Sequence, residues 1–374
     1  MKKLRILGAL IAAIMSVSCL PLQVSAEKYE EFIGEYNPLG IDWDDFFSVD
    51  ENAVEPYVSY TLLEETPVSL IDTYAVTSTT YESENNDSIS AADVVSNIDR
   101  SKNNSVAFKG RISTTSDSDY IKITPPRHGV LQIQLTPPSN TCLGLYLYDS
   151  SGKYLNGVNG ASVATRNIYT VTTKKSTLDS FYIRVTPGVT SNNTSSSYYT
   201  LSFQYVNYYS SLNAVYPFVS ASGNNILINS PVGYRSSYNE YHTGLDIDST
   251  WDCQVRNIVS GEIIAVKSNG NSSNANYVVV KADTKDPLTK NDIYIRYYHL
   301  NSVYTTTLNS KITAGTVIGT VGNTGLNKSG QLGKHLHIDM NCVPSDTGSV
   351  IRNSPNRIIN PIDLYSYPFT GTLY

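Results

Sequence analysis

The chain has 374 residues, which is more than one domain usually holds. We therefore expect two modules with connecting segments and not a single hydrophobic core. Its net charge of -6 hides an asymmetry: residues 27–99 contain 18 acidic residues and one lysine, whereas the chain from Arg100 onward contains 23 basic and 15 acidic residues. The positive part of the chain is suited to a polyanionic surface.

The first 26 residues have the pattern of a secretory signal peptide. A basic start precedes an apolar run from Ile6 to Met15, and a polar stretch then closes on Ala26, after which we expect cleavage. The apolar run is too short to span the hydrocarbon of a bilayer, so we expect export and no stable membrane insertion. A lipoprotein anchored at Cys19 is the alternative, but Ser16-Val17-Ser18 lacks the leucine-like residue that such a cleavage site normally has.

Removal of this segment leaves three cysteines, Cys142, Cys253 and Cys342. An odd number cannot pair fully within the chain, which excludes a disulfide framework as the basis of the fold. A disulfide between Cys253 and Cys342 is one interpretation if the compartment is oxidising, and buried free thiols are the other.

Residues 27–80 are acidic and show no sustained period of 3.6 or 2, which predicts a linker or pro-segment. The aromatic cluster at residues 43–47 offers an alternative, in which this segment docks on the basic part of the chain and masks it.

Residues 81–206 change to short alternating runs separated by Pro, Gly, Ser and Asn. Such runs predict strands of an antiparallel β-sandwich. The clearest examples are 120–124, 130–135, 143–148 and 181–185.

This region resembles the bacterial pre-peptidase C-terminal domain, a small jelly-roll-like sandwich found beside secreted peptidases. The likeness rests on Glu84–Ser88, Asp117–Tyr120 and Leu145–Asp149, together with the strand pattern. In some relatives acidic side chains near the first strands hold Ca2+. Four carboxylates here are of a suitable kind, and solvated turn carboxylates are the alternative interpretation. These four are Glu84, Asp87, Asp117 and Asp119.

Four of the five histidines lie in the last 133 residues of the chain, in strand-like sequence. His242 and Asp246 are four positions apart, which places both on one face of a strand or a helix, and Gly244 favours a strand. The segment 334–340 alternates polar and apolar residues, so His335, His337 and Asp339 should share one strand face. Imidazoles together with a carboxylate are typical ligands of catalytic zinc.

The remaining two histidines receive different interpretations. His299 lies in Tyr298-His299-Leu300 and adds to the constellation, whereas His128 follows Pro125-Pro126 in a turn and receives no role. Arg296 is expected to face solvent.

The chain from about residue 226 to 365 resembles the lysostaphin or LytM type of zinc metallopeptidase, the peptidoglycan endopeptidases of bacterial walls. The residues that carry this likeness are Ser230–Arg235, Tyr241–Ile247, Val259–Val266, Tyr297–Leu300, Ile312–Gly319, Gly322–Gly325, Gly333–His337 and Asn360-Pro361. The resemblance implies an antiparallel β-sheet domain with a duplicated hybrid motif over residues 207–374. It also implies one Zn2+ per chain, bound by His242, Asp246 and His337.

His299 and His335 are the catalytic pair that this resemblance implies, and which of them is the base is left open. The implied reaction is hydrolysis of a peptide bond in peptidoglycan stem peptides or cross-bridges by zinc-activated water. A secreted, wall-associated all-β protein with no nucleic-acid partner is therefore expected, and its oligomeric state is open. The alternatives are a non-catalytic scaffold or activator of wall hydrolases and a wall-binding protein with a residual metal site.

Overall fold

The structure is a computed structural model, and the signal peptide predicted for residues 1–26 and the aromatic cluster at 43–47 lie outside the residues it describes. The described residues are 61–66, 75–98, 104–172, 180–206, 208–218, 227–235, 240–249, 253–271, 274–325, 334–342, 357–365 and 370–371. Their regular structure is β, apart from the short 3-10 helices Ile89–Ala91, Ser210–Leu212 and Pro361–Leu364. The predicted all-β class is confirmed. None of the described helices has the length and apolar character needed to cross a bilayer.

Two sheets form the N-terminal part, with strands numbered in chain order. The order across the six-stranded sheet is β1 (Thr61–Thr66), β9 (Thr165–Thr172), β6 (Gly129–Thr136), β11 (Tyr199–Tyr205), β4 (Asn104–Gly110) and β2 (Ala75–Tyr81). The order across the five-stranded sheet is β3 (Asp93–Val95), β5 (Asp119–Ile123), β10 (Phe181–Pro187), β7 (Leu143–Tyr148) and β8 (Tyr154–Val158). Pairing is antiparallel except between β2 and β4 and between β3 and β5.

Alternate residues of both sheets enter one hydrophobic core, which makes this part a sandwich. Phe181, Ile183 and Val185 of β10 share the core with Leu201 and Phe203 of β11. We call β1 to β11 the sandwich. The predicted strands are therefore present where the sequence alternates.

Two strands of the sandwich lie in or extend from the stretch predicted to be a linker. Residues 61–66 pair with β9, and residues 75–81 pair with β4. The side chains of β2 are almost all exposed. An edge strand of this kind buries neither face, so its sequence needs no alternation, and this explains why pattern alone did not reveal it.

The C-terminal part, β12 to β25, is built on a nine-stranded sheet. The strands are β21 (Lys311–Ile312), β17 (Gly261–Lys267), β18 (Tyr277–Ala282), β19 (Tyr294–Tyr298), β23 (His335–Asn341), β15 (Gly244–Asp248), β12 (Leu227–Ser230) and β25 (Thr370–Gly371), with β24 (Ile358–Ile359) paired to β23. A hairpin and a three-stranded sheet complete this part. The hairpin is β13 (Gly233–Arg235) and β14 (Glu240–His242), and the sheet is β16 (Gln254–Arg256), β22 (Val317–Val321) and β20 (Leu300–Val303).

A second hydrophobic core belongs to this C-terminal part. Leu336, Ile338 and Met340 of β23 enter it together with Ile247 of β15. The other face of β23 therefore carries His335, His337 and Asp339, as the alternation predicts. Val130 of β6 also enters this second core, and the division near residue 206 remains a prediction.

All three described cysteines are outside disulfides, with Cys142 and Cys342 buried. The bridge between Cys253 and Cys342 that the sequence left open is thus not formed. The Cys342 thiol lies 3.4 Å from the Asp286 carboxylate, and burial raises its pKa above the ordinary thiol range.

The turn before β6 connects the two parts through a buried ion pair. Arg127 Nη1 lies 3.1 Å from Asp363 Oδ1, and the two side chains are 2% and 0% exposed. The guanidinium also lies over the Tyr205 ring, 3.8 Å from its centroid. Removing one partner of a buried ion pair is costly because it leaves a charge in a low-dielectric interior.

We predict that Asp363→Ala lowers the free energy of unfolding by about 3–5 kcal/mol, because it removes the carboxylate from the buried Arg127 charge. Chemical denaturation of the variant measures this change. The matched control is Asp283→Ala, since Asp283 pairs with Lys311 at the surface with side chains 49% and 69% exposed, and little stability should be lost there. Equal losses in the two variants would contradict the prediction.

Candidate metal centre

Three potential metal ligands converge from three strands of the C-terminal part. His242 ends β14, Asp246 lies in β15, and His337 lies in β23. Asp246 and His337 are directly opposite each other in the antiparallel pair of β15 and β23. The chain leaves the strand geometry at Thr243, so His242 and Asp246 reach one site from two consecutive strands and not from one.

The atoms of these side chains are spaced as metal ligands are. The distance from His242 Nε2 is 3.2 Å both to Asp246 Oδ1 and to His337 Nδ1. His337 Nδ1 lies 2.8 Å from Asp246 Oδ1. A tetrahedral zinc ion with bonds of about 2.0–2.1 Å separates its ligands by roughly 3.3 Å. Within the described residues, this is the group of three His, Cys, Asp or Glu side chains close enough to hold one ion.

Hydrogen bonds on the far side of each imidazole orient the two histidines. His242 Nδ1 lies 2.8 Å from the Pro231 carbonyl oxygen, which can only accept, so Nδ1 donates and Nε2 keeps its lone pair toward the site. His337 Nε2 lies 3.4 Å from Asp339 Oδ2, which leaves Nδ1 facing Asp246. Metal-binding histidines commonly have such partners, which fix the tautomer and the ring orientation.

The Asp339 carboxylate is itself held by Arg296. Arg296 Nε lies 3.0 Å from both carboxylate oxygens, and Nη2 donates to Oδ2 as well. Arg296 is 2% exposed, so the expectation that it faces solvent is wrong. The reason is the register: β19 lies beside β23 with Arg296 opposite Asp339, on the face that carries the metal-site side chains.

Both carboxylates of the site are ionised, and cations lie beside each of them. Burial would raise the pKa of Asp246, but hydrogen bonds with His242 and His337 hold that pKa well below its usual range. Burial also opposes ionisation of Asp339, yet the Arg296 charge and His337 lower its pKa to about 2. His337 loses basicity through burial, but its bonds to Asp246 and Asp339 raise its pKa to about 9. A metal ion therefore competes with a proton for His337.

His299 and His335 flank the three ligands. The centroid of the His299 ring lies 5.0 Å from that of the His335 ring and 6.0 Å from that of the His337 ring. His335 Nε2 lies 3.6 Å from Asp246 Oδ1. All five predicted site residues therefore lie together.

His299 occupies the point where the chain passes from the nine-stranded sheet to the three-stranded sheet. Its φ of 65° is in the left-handed region, which non-glycine residues rarely adopt outside turns and functional sites. Nδ1 donates to the Thr324 carbonyl oxygen at 2.7 Å, so the neutral ring carries its lone pair on Nε2. Burial and the neighbouring His337 and His335 lower its pKa to about 3, which keeps the ring neutral.

Gly244 leaves the space that His337 needs. A Cβ at this position would lie 2.6 Å from His337 Nε2 and 2.5 Å from the Ile338 carbonyl oxygen. No side chain fits there without displacing the imidazole or the strand. In sequence Gly244 indicated only a strand, and Thr324 was noted only within the Gly322–Gly325 segment of the resemblance. Their roles beside His337 and His299 depend on strand pairing that a sequence pattern does not contain.

Three of the four carboxylates considered for calcium are engaged in the turns and core of the sandwich, and Glu84 is exposed. Asp87 accepts a hydrogen bond from the Ser118 amide at 2.8 Å, and Asp117 accepts one from the Ser113 amide at 2.7 Å. The Tyr199 hydroxyl donates to Asp119 at 2.6 Å. These bonds match the alternative interpretation of turn carboxylates, and the structure does not support the predicted Ca2+.

The model of peptidase family M23 matches residues 240–347. This range contains His242, Asp246, His299, His335 and His337. The match confirms the predicted likeness of the C-terminal region to the lysostaphin or LytM type, while the likeness of the sandwich to the pre-peptidase domain is not confirmed. No curated protein matches the chain.

Three solved structures are similar to parts of the chain. A mutant catalytic domain of the prophage-encoded M23 protein EnpA from Enterococcus faecalis has 21% identity and a TM-score of 0.27, over 39% of this chain and 95% of its own. The antimicrobial peptidase lysostaphin from Staphylococcus simulans has 22% identity and a TM-score of 0.29, over 40% of this chain and 52% of its own. A zinc-containing peptidase from Vibrio cholerae has 19% identity and a TM-score of 0.28, over 41% and 40%.

We predict that Gly244→Ala reduces affinity for a divalent probe ion at least tenfold, because the new methyl group displaces His337. Titration with Co2+, followed by its visible absorption, measures this affinity. Gly261→Ala is the matched control: its Cβ would lie 2.2 Å from the Lys281 carbonyl oxygen, so it strains a strand of the same sheet without facing a ligand. Similar Co2+ affinities in the two variants would argue against the steric role of Gly244.

We predict that Asp339→Asn lowers affinity for the same ion by about 10–100-fold, since the neutral amide no longer supports His337 as the carboxylate does. Asp286→Asn serves as the control, because Asp286 is 1% exposed and accepts hydrogen bonds from Leu288 and Thr289 away from the site. If both variants bind Co2+ as the unaltered chain does, Asp339 has no influence on the centre.

Proposed function

We propose, starting from the match of residues 240–347 to the model of peptidase family M23, that this protein is a secreted zinc metalloendopeptidase that cleaves peptide bonds in peptidoglycan. The observation that carries the proposal is the ligand spacing of His242, Asp246 and His337 beside two further imidazoles. Such a set is common to catalytic zinc sites, which combine three protein ligands with an open fourth position.

The donor set fits Zn2+ better than a hard cation. Two imidazole nitrogens and one carboxylate oxygen suit zinc, whereas Ca2+ and Mg2+ prefer oxygen ligands throughout. The ligand atoms would be His242 Nε2, Asp246 Oδ1 and His337 Nδ1, whose mutual distances are 2.8–3.2 Å. When bound, zinc polarises a carbonyl group and lowers the pKa of water to about 7.

Proton transfer falls to His299 and His335. Asp246 is committed to the ligand set, and Asp339 is committed to Arg296 and His337. His299 is neutral with its Nε2 lone pair available, so it can accept a proton during attack on the scissile carbonyl. Together the two imidazoles can supply the base and the partner for the oxyanion or the leaving amine.

Peptidoglycan is the substrate that the sequence resemblance implies, and the signal-like pattern of residues 1–26 supports export. The excess of basic residues from Arg100 onward suits a polyanionic wall. The other candidates are a non-catalytic scaffold or activator of cell-wall hydrolases and a wall-binding protein. The presence of all five predicted side chains in one site favours catalysis.

We predict that the full chain binds about one zinc ion and releases fragments from peptidoglycan, and that His337→Ala loses both properties. Metal content after dialysis and chromatography of soluble wall fragments measure the two. A chelator should abolish release, and zinc should restore it where calcium does not, because the site lacks the oxygen ligands that calcium needs.

Tyr304→Ala is the control for a nonspecific loss of zinc binding or activity, since Tyr304 is 57% exposed and lies outside the site. This variant should retain zinc and activity. A full chain that is folded and zinc-loaded but inert on walls of varied cross-bridge chemistry would overturn the enzyme proposal in favour of the scaffold or wall-binding role.

A further inference from the structure

One turn of the sandwich contacts the C-terminal part at Tyr241, the residue that precedes the ligand His242. His128 in this turn is 1% exposed. Its Nδ1 lies 2.7 Å from the Tyr241 hydroxyl, and its Nε2 lies 2.8 Å from the Ile358 carbonyl oxygen. The backbone oxygen of His128 also accepts from Asn360 Nδ2 at 3.0 Å. Every one of these partners belongs to the C-terminal part.

The partners define which nitrogen of His128 carries the proton. A carbonyl oxygen can only accept, so Nε2 donates to Ile358 and Nδ1 must accept from the Tyr241 hydroxyl. Burial lowers the pKa of His128 to about 4, which agrees with a neutral ring. Both ring nitrogens are thus satisfied, and the Tyr241 hydroxyl has a defined direction.

Tyr241 precedes the ligand His242 in β14. Successive side chains of a strand point to opposite faces, so the Tyr241 ring and the His242 ring extend from opposite sides of this short strand. Tyr241 packs with Val232 and Ile358, while His242 Nδ1 lies 2.8 Å from the Pro231 carbonyl oxygen on the other side. Fixing Tyr241 therefore fixes the strand from which His242 approaches the ion.

We propose that His128 is a positioning residue of the metal centre, acting through the Tyr241 hydroxyl on His242. The sandwich then forms a required support of the site, although it supplies no ligand. This inference rests on the proposed function for its metal, and its geometry is independent of the substrate. An interface that only docks the two parts is the competing explanation, and it predicts a loss of stability without a change at His242.

The test compares two single-atom changes in the full chain. Tyr241→Phe removes the hydroxyl that donates a hydrogen bond to His128 Nδ1. Tyr365→Phe removes a hydroxyl that donates to the Val215 carbonyl oxygen at 2.9 Å, where both residues belong to the C-terminal part. Both variants should lose comparable thermal stability, because each loses one hydrogen bond of a buried phenol. Only Tyr241→Phe should also weaken zinc binding, by about tenfold, and shift the imidazole 15N resonances of His242 in the metal-free protein.

Changes at His128 provide the second arm. His128→Ala should weaken zinc binding as Tyr241→Phe does, and the double variant should be no weaker than either single one, because both remove the same interaction. His128→Asn should restore part of the affinity, since its amide oxygen can take the place of Nδ1 as acceptor.

The outcomes separate this inference from the proposed function. If zinc affinity and the His242 resonances are the same in Tyr241→Phe and Tyr365→Phe, the interface is only structural and the inference is overturned. If the unaltered chain binds no zinc, the proposed function fails, and the His242 resonances of the metal-free variants alone decide whether His128 positions this residue.

Discussion

The metal centre depends on two buried carboxylates that flank one imidazole. Asp246 and Asp339 approach His337 from opposite sides, and both remain ionised although Asp246 is 8% and Asp339 0% exposed. Buried negative charge is stable only where cations or hydrogen-bond donors compensate it. Arg296 provides this compensation on the Asp339 side. On the Asp246 side the compensation comes from imidazoles and from Arg235, whose Nη1 lies 3.9 Å from Asp246 Oδ2, and a divalent ion among the imidazoles would complete it.

This constraint explains the arrangement of the surrounding strands. The antiparallel pair of β15 and β23 places Asp246 opposite His337, and β19 on the other side of β23 places Arg296 opposite Asp339. A shift of register by one residue would turn these side chains into the hydrophobic core. The apolar face of β23, with Leu336, Ile338 and Met340 in the core, therefore fixes the register on which the site depends.

The sequence predicted the all-β class, and it named five side chains that the structure brings together. His335 and His337 could be assigned to one face because strand alternation is local, and His242 and Asp246 could be grouped because they are close in sequence. Arg296 was assigned to solvent because its compensating partner, Asp339, is 43 residues away in sequence. The edge strand β2 was missed for a different reason, since exposed side chains leave no hydrophobic period.

His128 shows the same limit across a longer distance. It received no role because it lies 113 residues before Tyr241 and has no metal-binding pattern around it. The structure shows its ring buried against Tyr241 and Ile358 of the C-terminal part. If the sandwich supports His242, the C-terminal part expressed alone would lack this support, and measurements on such a fragment would understate the metal affinity of the whole chain.

A structure of the zinc-loaded full chain, with the ion located by its anomalous X-ray scattering, tests the central claim most directly. The ligand geometry predicts one ion bound by His242 Nε2, Asp246 Oδ1 and His337 Nδ1, with His299 and His335 close to the ion but not bound to it. An ion held by His299 or His335 in place of these ligands, or a site without zinc, would contradict it.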